Sequence, residues 1–360
     1  MALSVQNIFL NLVRLAICKE HSIQEDNYHH ADWDAIQAIA EQQGLLAIVL
    51  DGIENLPVEL KPSKEKLLQW IGIVLLDEQQ YEIQEKASIK LATLFQKNNI
   101  RTYVLKGTVV AECYPKPEHR LSSDLDCYLL PDRGAFDAWS IGNGLVKTQG
   151  YKVRTSFYKN STFFIPGLVV ENHKYMVPFR GNKCLENLEM MLQRYMREDK
   201  GEDKIEETFL YRPPMMVSSL FLIEHAYSHF LHEGLTWRHV LDWMMFSCKH
   251  YEEIDWTELM AYVDEFGFRK FYDSYERLGR YLLGEIQEDE LTEKDRMMLA
   301  DVWAPLDLHE SDHGIKGKLA LAGNTWRARW KYRHFADISM IHALWIQVKG
   351  VLFIKNPTLD

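Results

Sequence analysis

Two short motifs hold the residue types best suited to chemistry. Leu105-Lys106-Gly107-Thr108 reads as a strand end, a glycine turn and a helix start, and Asp124-Leu125-Asp126 reads as a second strand with two carboxylates on one face. Side chains two apart on a strand point the same way, with Cα atoms about 6.5–7 Å apart. Carboxylates so placed can converge on a hard cation such as Mg²⁺, and Mg²⁺ in turn organises a triphosphate. The chemistry that such a pair would serve is nucleotidyl transfer.

The elements needed to position these motifs follow from the flanking pattern. Residues up to about 95 read as helical. Leu10, Leu12, Val13 and Ala16 form one stripe, Asp32-Trp33-Asp34 starts a second helix that Gly44 closes, and a long helix runs from about Lys64 to Asn98. Pro57 and Pro62 punctuate the loop before it. The pattern changes at Asn99. Ile100 to Leu105 reads as a strand, Thr108 to Cys113 as a short helix ended by Tyr114-Pro115-Lys116-Pro117, and Leu125 to Leu130 as the second strand. A helix from Asp132 to Thr148 is followed by strands over Tyr151–Tyr158, Thr162–Ile165 and Leu168–Val177, with turn signals at Asn160-Ser161 and Pro166-Gly167. Beyond Pro178 the chain returns to helices: Leu185–Met196, Met215–His232, Trp237–Lys249, Trp256–Phe266, Phe268–Leu283, Glu293–Trp303 and a packed terminal helix within Ile338–Ile354.

With these residues in view, the run Leu105-Lys106-Gly107, then Tyr114-Pro115-x-Pro117-x-x-Arg120-x-Ser122-x-Asp124-Leu125-Asp126, resembles the uncharacterised nucleotidyltransferase family of the polymerase-β-like superfamily. Val169-Val170-Glu171-Asn172-His173 is similar to its third-acid strand. His225-x-x-x-His229 with Arg238-x-x-x-Asp242-Trp243, and the Asp32-Trp33 helix, resemble its other signatures. The resemblance implies an α+β fold: a polymerase-β-like nucleotidyltransferase core with a small mixed sheet, flanked by N- and C-terminal helical segments. The segments would be an N-terminal helical region (1–98), the core (99–180) and a C-terminal helical domain (181–360).

It also implies roles. Asp124 and Asp126 would bind two Mg²⁺ ions, with Mn²⁺ as a substitute, and Glu171 would complete the metal and catalytic set beneath the nucleophile. Two-metal sites hold their ions about 3.5–4 Å apart. Val169, Glu171 and His173 share one strand face. Lys106, Gly107, Thr108, Arg120 and Ser122 would contact the nucleotide. Gly107 lets backbone approach phosphate, Lys106 and Arg120 supply charge, and Thr108 stands where Ser is usual.

His225, His229 and His232 invite a zinc reading, because histidines at i and i+4 share a helix face. No HExxH occurs, since Ala226 follows His225, so these histidines are expected to face or pack against the cleft. Arg238 and Asp242 are spaced for a helical ion pair. From Lys316 onward, eight basic residues (316, 318, 327, 329, 331, 333, 349, 355) face two acids (337, 360), interleaved with Trp326, Trp330 and Tyr332. Basic–aromatic alternation can bind nucleic acid. An amphipathic helix with cationic stems covering apolar surface is the favoured reading.

Bulk properties bound the partners. At 360 residues the chain suits two or three domains, and 47% hydrophobic with 26% charged residues marks it as globular. A net charge of −11 argues against broad nucleic-acid coating. Five scattered cysteines without a CxxC pair fit a reducing, cytoplasmic setting. The N-terminal stretch lacks the basic region and cleavage site of a signal peptide, and the interrupted apolar stretch near the end is short for a membrane span.

The expected activity is therefore Mg²⁺-dependent transfer of a nucleoside monophosphate from an NTP to an acceptor hydroxyl, with release of pyrophosphate. The acceptor, a small molecule, protein or RNA, is left open, as are the base and the oligomeric state. The competing readings are a non-catalytic nucleotide-binding module, a toxin–antitoxin-type interaction protein and an antibiotic-modifying adenylyltransferase.

Overall fold

A computed structural model describes residues 4–18, 28–155, 158–201, 203–304 and 327–353, with side chains as far as 346. The N-terminal segment forms helices α1 (Val5–Ile17), α2 (Trp33–Gln43), α3 (Leu46–Glu54) and α4 (Lys64–Gln96). The sequence cues explain their limits. Asp32 caps α2 by accepting from the Ala35 amide at 3.0 Å, and Gly44 ends it in the left-handed region at φ 67°. Seven of the nine residues of helix α3 are buried, and Asp51 and Glu54 are the two that are not. It packs tightly on α1. A Cβ at Gly52 would lie 2.0 Å from the Leu12 carbonyl oxygen, so only glycine permits that approach.

The central segment gives β1 (Ile100–Val104), α5 (Thr108–Ala111), β2 (Leu125–Pro131), α6 (Ala138–Thr148), β3 (Val153–Arg154), β4 (Asn160–Ile165) and β5 (Leu168–His173). With β6 (Leu210–Tyr211) these form one mixed sheet in the order β3-β4-β5-β2-β1-β6. The β1–β2 and β4–β5 pairs are antiparallel, and β2–β5 is parallel. Asn160 and Ser161, which have turn-type side chains, open strand β4 instead of ending one. They are held there by pairing with His173 and Asn172, and by the hydrogen bond from Ser161 Oγ to Asn143 Oδ1 (2.8 Å). Two-residue β6 carries too little pattern to be read locally.

One face of the sheet is apolar and packs beneath α4 and α6 through Leu91, Phe95, Leu125, Cys127, Val146 and Val170. The start of α4 belongs elsewhere: Trp70 and Val74 enter the larger core formed with the helices at both ends of the chain. Leu75 and Ile83 of α4 are half exposed.

The C-terminal helices are α7 (Lys183–Glu198), α8 (Met215–His232), α9 (Trp237–Lys249), α10 (Trp256–Glu265), α11 (Arg269–Leu282) and α12 (Glu293–Trp303), followed by helices over Arg329–Phe335 and Met340–Phe353. Distant segments close on one another here. Arg14 Nε donates to the Leu282 carbonyl at 2.9 Å, Gln43 Oε1 accepts from the Trp237 amide at 2.7 Å, and Phe9 meets Trp303 edge-on. The N-terminal helices thus pack directly on the C-terminal ones. Lys331 of the basic stretch is a buried ion-pair partner, with Nζ 2.7 Å from Asp301 and 2.7 Å from the Phe230 carbonyl. Its neighbours Lys316, Lys318, Trp326 and Lys355 lie outside the described residues. No helix among the described residues is long and apolar enough to cross a membrane. All five cysteines are free thiols.

Candidate active site

The parallel pairing of β2 with β5 sets Asp126 directly opposite Glu171, and Tyr128 opposite His173. Residue alternation turns Asp126, Glu171 and His173 to the face opposite the apolar one. Asp124 immediately precedes β2. All four line a cleft of about 710 Å³ whose far wall is built by α8 and α9.

The acids are held by short contacts. Asp126 is 2% exposed. His173 Nε2 lies 2.8 Å from its Oδ1, and Lys106 Nζ lies 3.1 Å from its Oδ2. Asn160 Nδ2 donates to Glu171 Oε2 at 2.7 Å, and His173 Nε2 lies 3.6 Å from the same oxygen. Ser123 Oγ donates to Asp124 Oδ1 at 3.3 Å. Burial opposes ionisation of Asp126, but Lys106 and His173 outweigh it and hold its carboxyl well below the usual range. The His173 hydrogen bond lowers Glu171. Asp124, buried and facing the Asp126 charge, is pushed up. His173 is raised although burial opposes its charging, because both Asp126 and Glu171 hydrogen-bond it.

Asp126, Glu171 and His173 form a group fit for a divalent cation, and Asp124 lies outside it. The donor atoms of Asp126, Glu171 and His173 lie within 4.8 Å of one another. Asp126 Oδ2 is buried and has an ion-pair neighbour but no aligned hydrogen-bond donor, which leaves a lone pair available for a metal.

The expected nucleotide contacts divide. Lys106 and Ser122 line the cleft. Thr108 lies behind them, lining a small cavity beside Ser122, Asp124 and Gln84. Gly107 adopts φ 75°, ψ −113°, a conformation open to glycine, and Ser122 Oγ donates to the Asp124 carbonyl at 3.2 Å. The turn leads into α5, which is only four residues long. Arg120 is 6% exposed and its guanidinium is committed to Asp242, with Nε–Oδ1 at 2.7 Å and Nη2–Oδ2 at 2.8 Å. Tyr114 Oη donates to the same carboxylate at 2.7 Å. Asp242 therefore pairs across 122 positions with Arg120 and not with its helical neighbour Arg238, whose Nη1 donates to the Leu121 carbonyl at 2.9 Å. The network ties the loop before β2 to α9.

Several cleft residues carry no local signal for a role. His173 was legible only as a face-mate of Glu171. Lys159, Glu224 and His239 also line the cleft. Glu224 is 3% exposed, and burial pushes its carboxyl up to about 7. His225 sits 3.3 Å from Lys106 Nζ through Nε2.

A family model described as uncharacterised nucleotidyltransferase matches residues 29–284. Comparisons with curated proteins and with solved structures find no match. The matched span runs from the residues just before α2 to the end of α11 and takes in the whole sheet and both walls of the cleft, and the mixed α+β architecture agrees with it. The chain belongs to the uncharacterised nucleotidyltransferase family.

Proposed function

We propose that the protein is a Mg²⁺-dependent nucleotidyltransferase that moves a nucleoside monophosphate from an NTP to an acceptor hydroxyl and releases pyrophosphate. The observation that carries this reading is the strand register that faces Asp126 with Glu171 at the floor of a large cleft, with Asp124 beside them. Asp124, Asp126 and Glu171 would hold the divalent ions, which when bound would lower the pKa of the attacking hydroxyl and neutralise the departing pyrophosphate.

The chain's own groups fit the rest of the task. Lys106 brings a buried positive charge to the acid floor, where it offsets Asp126 and faces the space for phosphate. His173 and Asn160 hold the Asp126 and Glu171 carboxylates in place, so that little reorganisation is needed on binding. Ser122, Gly107 and Thr108 form the turn beside Asp124 and would meet the nucleotide there. Arg120 would support this end of the cleft by anchoring α9 through Asp242. The helical wall of α8 and α9 would receive the acceptor, whether small molecule, protein or RNA.

The test is to incubate the protein with each NTP and Mg²⁺ and to measure nucleotide binding, then pyrophosphate release with acceptors of each class. Binding should depend on the metal and vanish in Asp124→Ala with Asp126→Ala. Equal binding by that double variant would refute the metal assignment. Binding without pyrophosphate release across all acceptor classes would point to the non-catalytic module instead.

A further inference from the structure

We propose that His225, His229 and His239 form a second metal site in the same cleft, selective for a borderline divalent cation such as Zn²⁺ over Mg²⁺. Helix α8 carries His225 and His229 one turn apart, and the first turn of α9 brings His239 to them. The ligand nitrogens of the three lie within 4.8 Å of one another. Their rings are close, with centroids 4.5 Å apart for His225–His229 and 4.9 Å for His229–His239.

The chemistry of the set favours a metal over simple packing. Three imidazole nitrogens suit Zn²⁺ and its transition-metal neighbours, whereas Mg²⁺ prefers oxygen. Three protein ligands leave a coordination position open, and here it would face the cleft. Neighbouring groups orient two of the rings: Glu233 Oε2 lies 2.9 Å from His229 Nδ1, and His239 Nδ1 accepts from the Thr236 amide at 3.2 Å and lies 2.8 Å from Thr236 Oγ1. A carboxylate behind a ligating histidine fixes the ring and raises its basicity. Burial pushes His225 and His239 well below the ordinary histidine value. The Lys106 ammonium, 3.3 Å from His225 Nε2, is also paired with Asp126, and Glu233 supplies a compensating negative charge.

His232, the third histidine that the sequence groups with this pair, is turned to the backbone, with Nδ1 2.7 Å from the Ser228 carbonyl. The third ligand comes from the next helix, which is why spacing along the chain does not reveal the site.

The experiment is equilibrium dialysis of chelator-treated full-length protein against Zn²⁺ in excess Mg²⁺, with bound zinc measured by mass spectrometry. One Zn²⁺ per chain is expected. His229→Gln with His239→Gln should weaken uptake at least about 100-fold, while Asp124→Asn with Glu171→Gln should leave it unchanged. Should the histidine variant not fold, Co²⁺ added to the wild-type protein should shift the ring-proton resonances of three histidines. Zinc uptake that survives the histidine changes, uptake lost through the acidic changes instead, no stoichiometric uptake, or Co²⁺ shifts at His173 alone would each overturn the proposal. None of these readouts depends on nucleotidyl transfer, so this site can fail while the transferase reading stands, and the reverse.

Discussion

On the sheet side of the cleft the candidate ligands are carboxylate oxygens on neighbouring strands. On the helical side they are imidazole nitrogens on α8 and α9. In the first set Asp126 is held in ion pairs, gripped between Lys106 and His173. In the second, burial pushes His225 and His239 well below the ordinary histidine value. Lys106 touches both, lying 3.1 Å from Asp126 and 3.3 Å from His225. Under the two proposals, one cavity would sort hard from borderline cations. Strand register converges oxygens, and helix-face geometry converges nitrogens.

The largest effect should come from breaking the oxygen side. Asp124→Asn with Asp126→Asn keeps shape but removes both charges, and pyrophosphate release should fall by at least about 10⁴-fold, or ~5.5 kcal/mol. A loss under tenfold in steady-state kinetics would remove these acids from the chemistry.

Next comes the clamp that holds the two sides together. Arg120→Ala leaves Asp242 buried without its bidentate partner and should cost about 3–5 kcal/mol in urea unfolding. If Arg120 instead acted mainly on phosphate, stability would be nearly unchanged and the apparent NTP affinity would fall.

A third prediction concerns charge buried on the helical side. The Glu224 carboxyl, and likewise Glu189 of α7, is pushed up by burial to about 7. Such a raised carboxyl stays protonated in the folded chain while the unfolded chain ionises. Its contribution is therefore fullest below the ordinary carboxylate range and is lost as pH rises to about 7. Each group should cost up to about 3 kcal/mol at pH 8 relative to pH 4. Glu224→Gln should flatten that part of the melting-temperature profile, and a profile identical to the wild type's would contradict the burial argument.

The smallest effect sharpens the nitrogen side. Glu233→Gln removes the carboxylate behind His229 and should weaken Zn²⁺ uptake by about tenfold, with Mg²⁺-dependent nucleotide binding unmoved. Equal zinc affinity would mean that Glu233 does not orient the ring.

Much of this architecture was legible locally. Met215–His232, Trp237–Lys249 and Glu293–Trp303 begin and end where periodicity and capping place them. Strands β1 and β2 lie within a residue of their expected limits, and Asp124, Asp126 and Glu171 do converge on one cleft. Local reading named no separate helix at α3, within a stretch read as helical, and missed β6, which is two residues long. It also mispaired Asp242. An i,i+4 partner was available in Arg238, but the buried bidentate geometry of Arg120 has the stronger claim.

Residue order alone determined most of the helices, where the glycine turn at Gly107 falls and which strands carry acids, because dihedral preference and hydrophobic period act within a few residues. Only the packed chain decided that Asp126 faces Glu171, that Arg120 is spent on α9 and that His239, not His232, joins His225 and His229. Those outcomes depend on strand register and on the angle between helices, which the whole core sets and no short window contains.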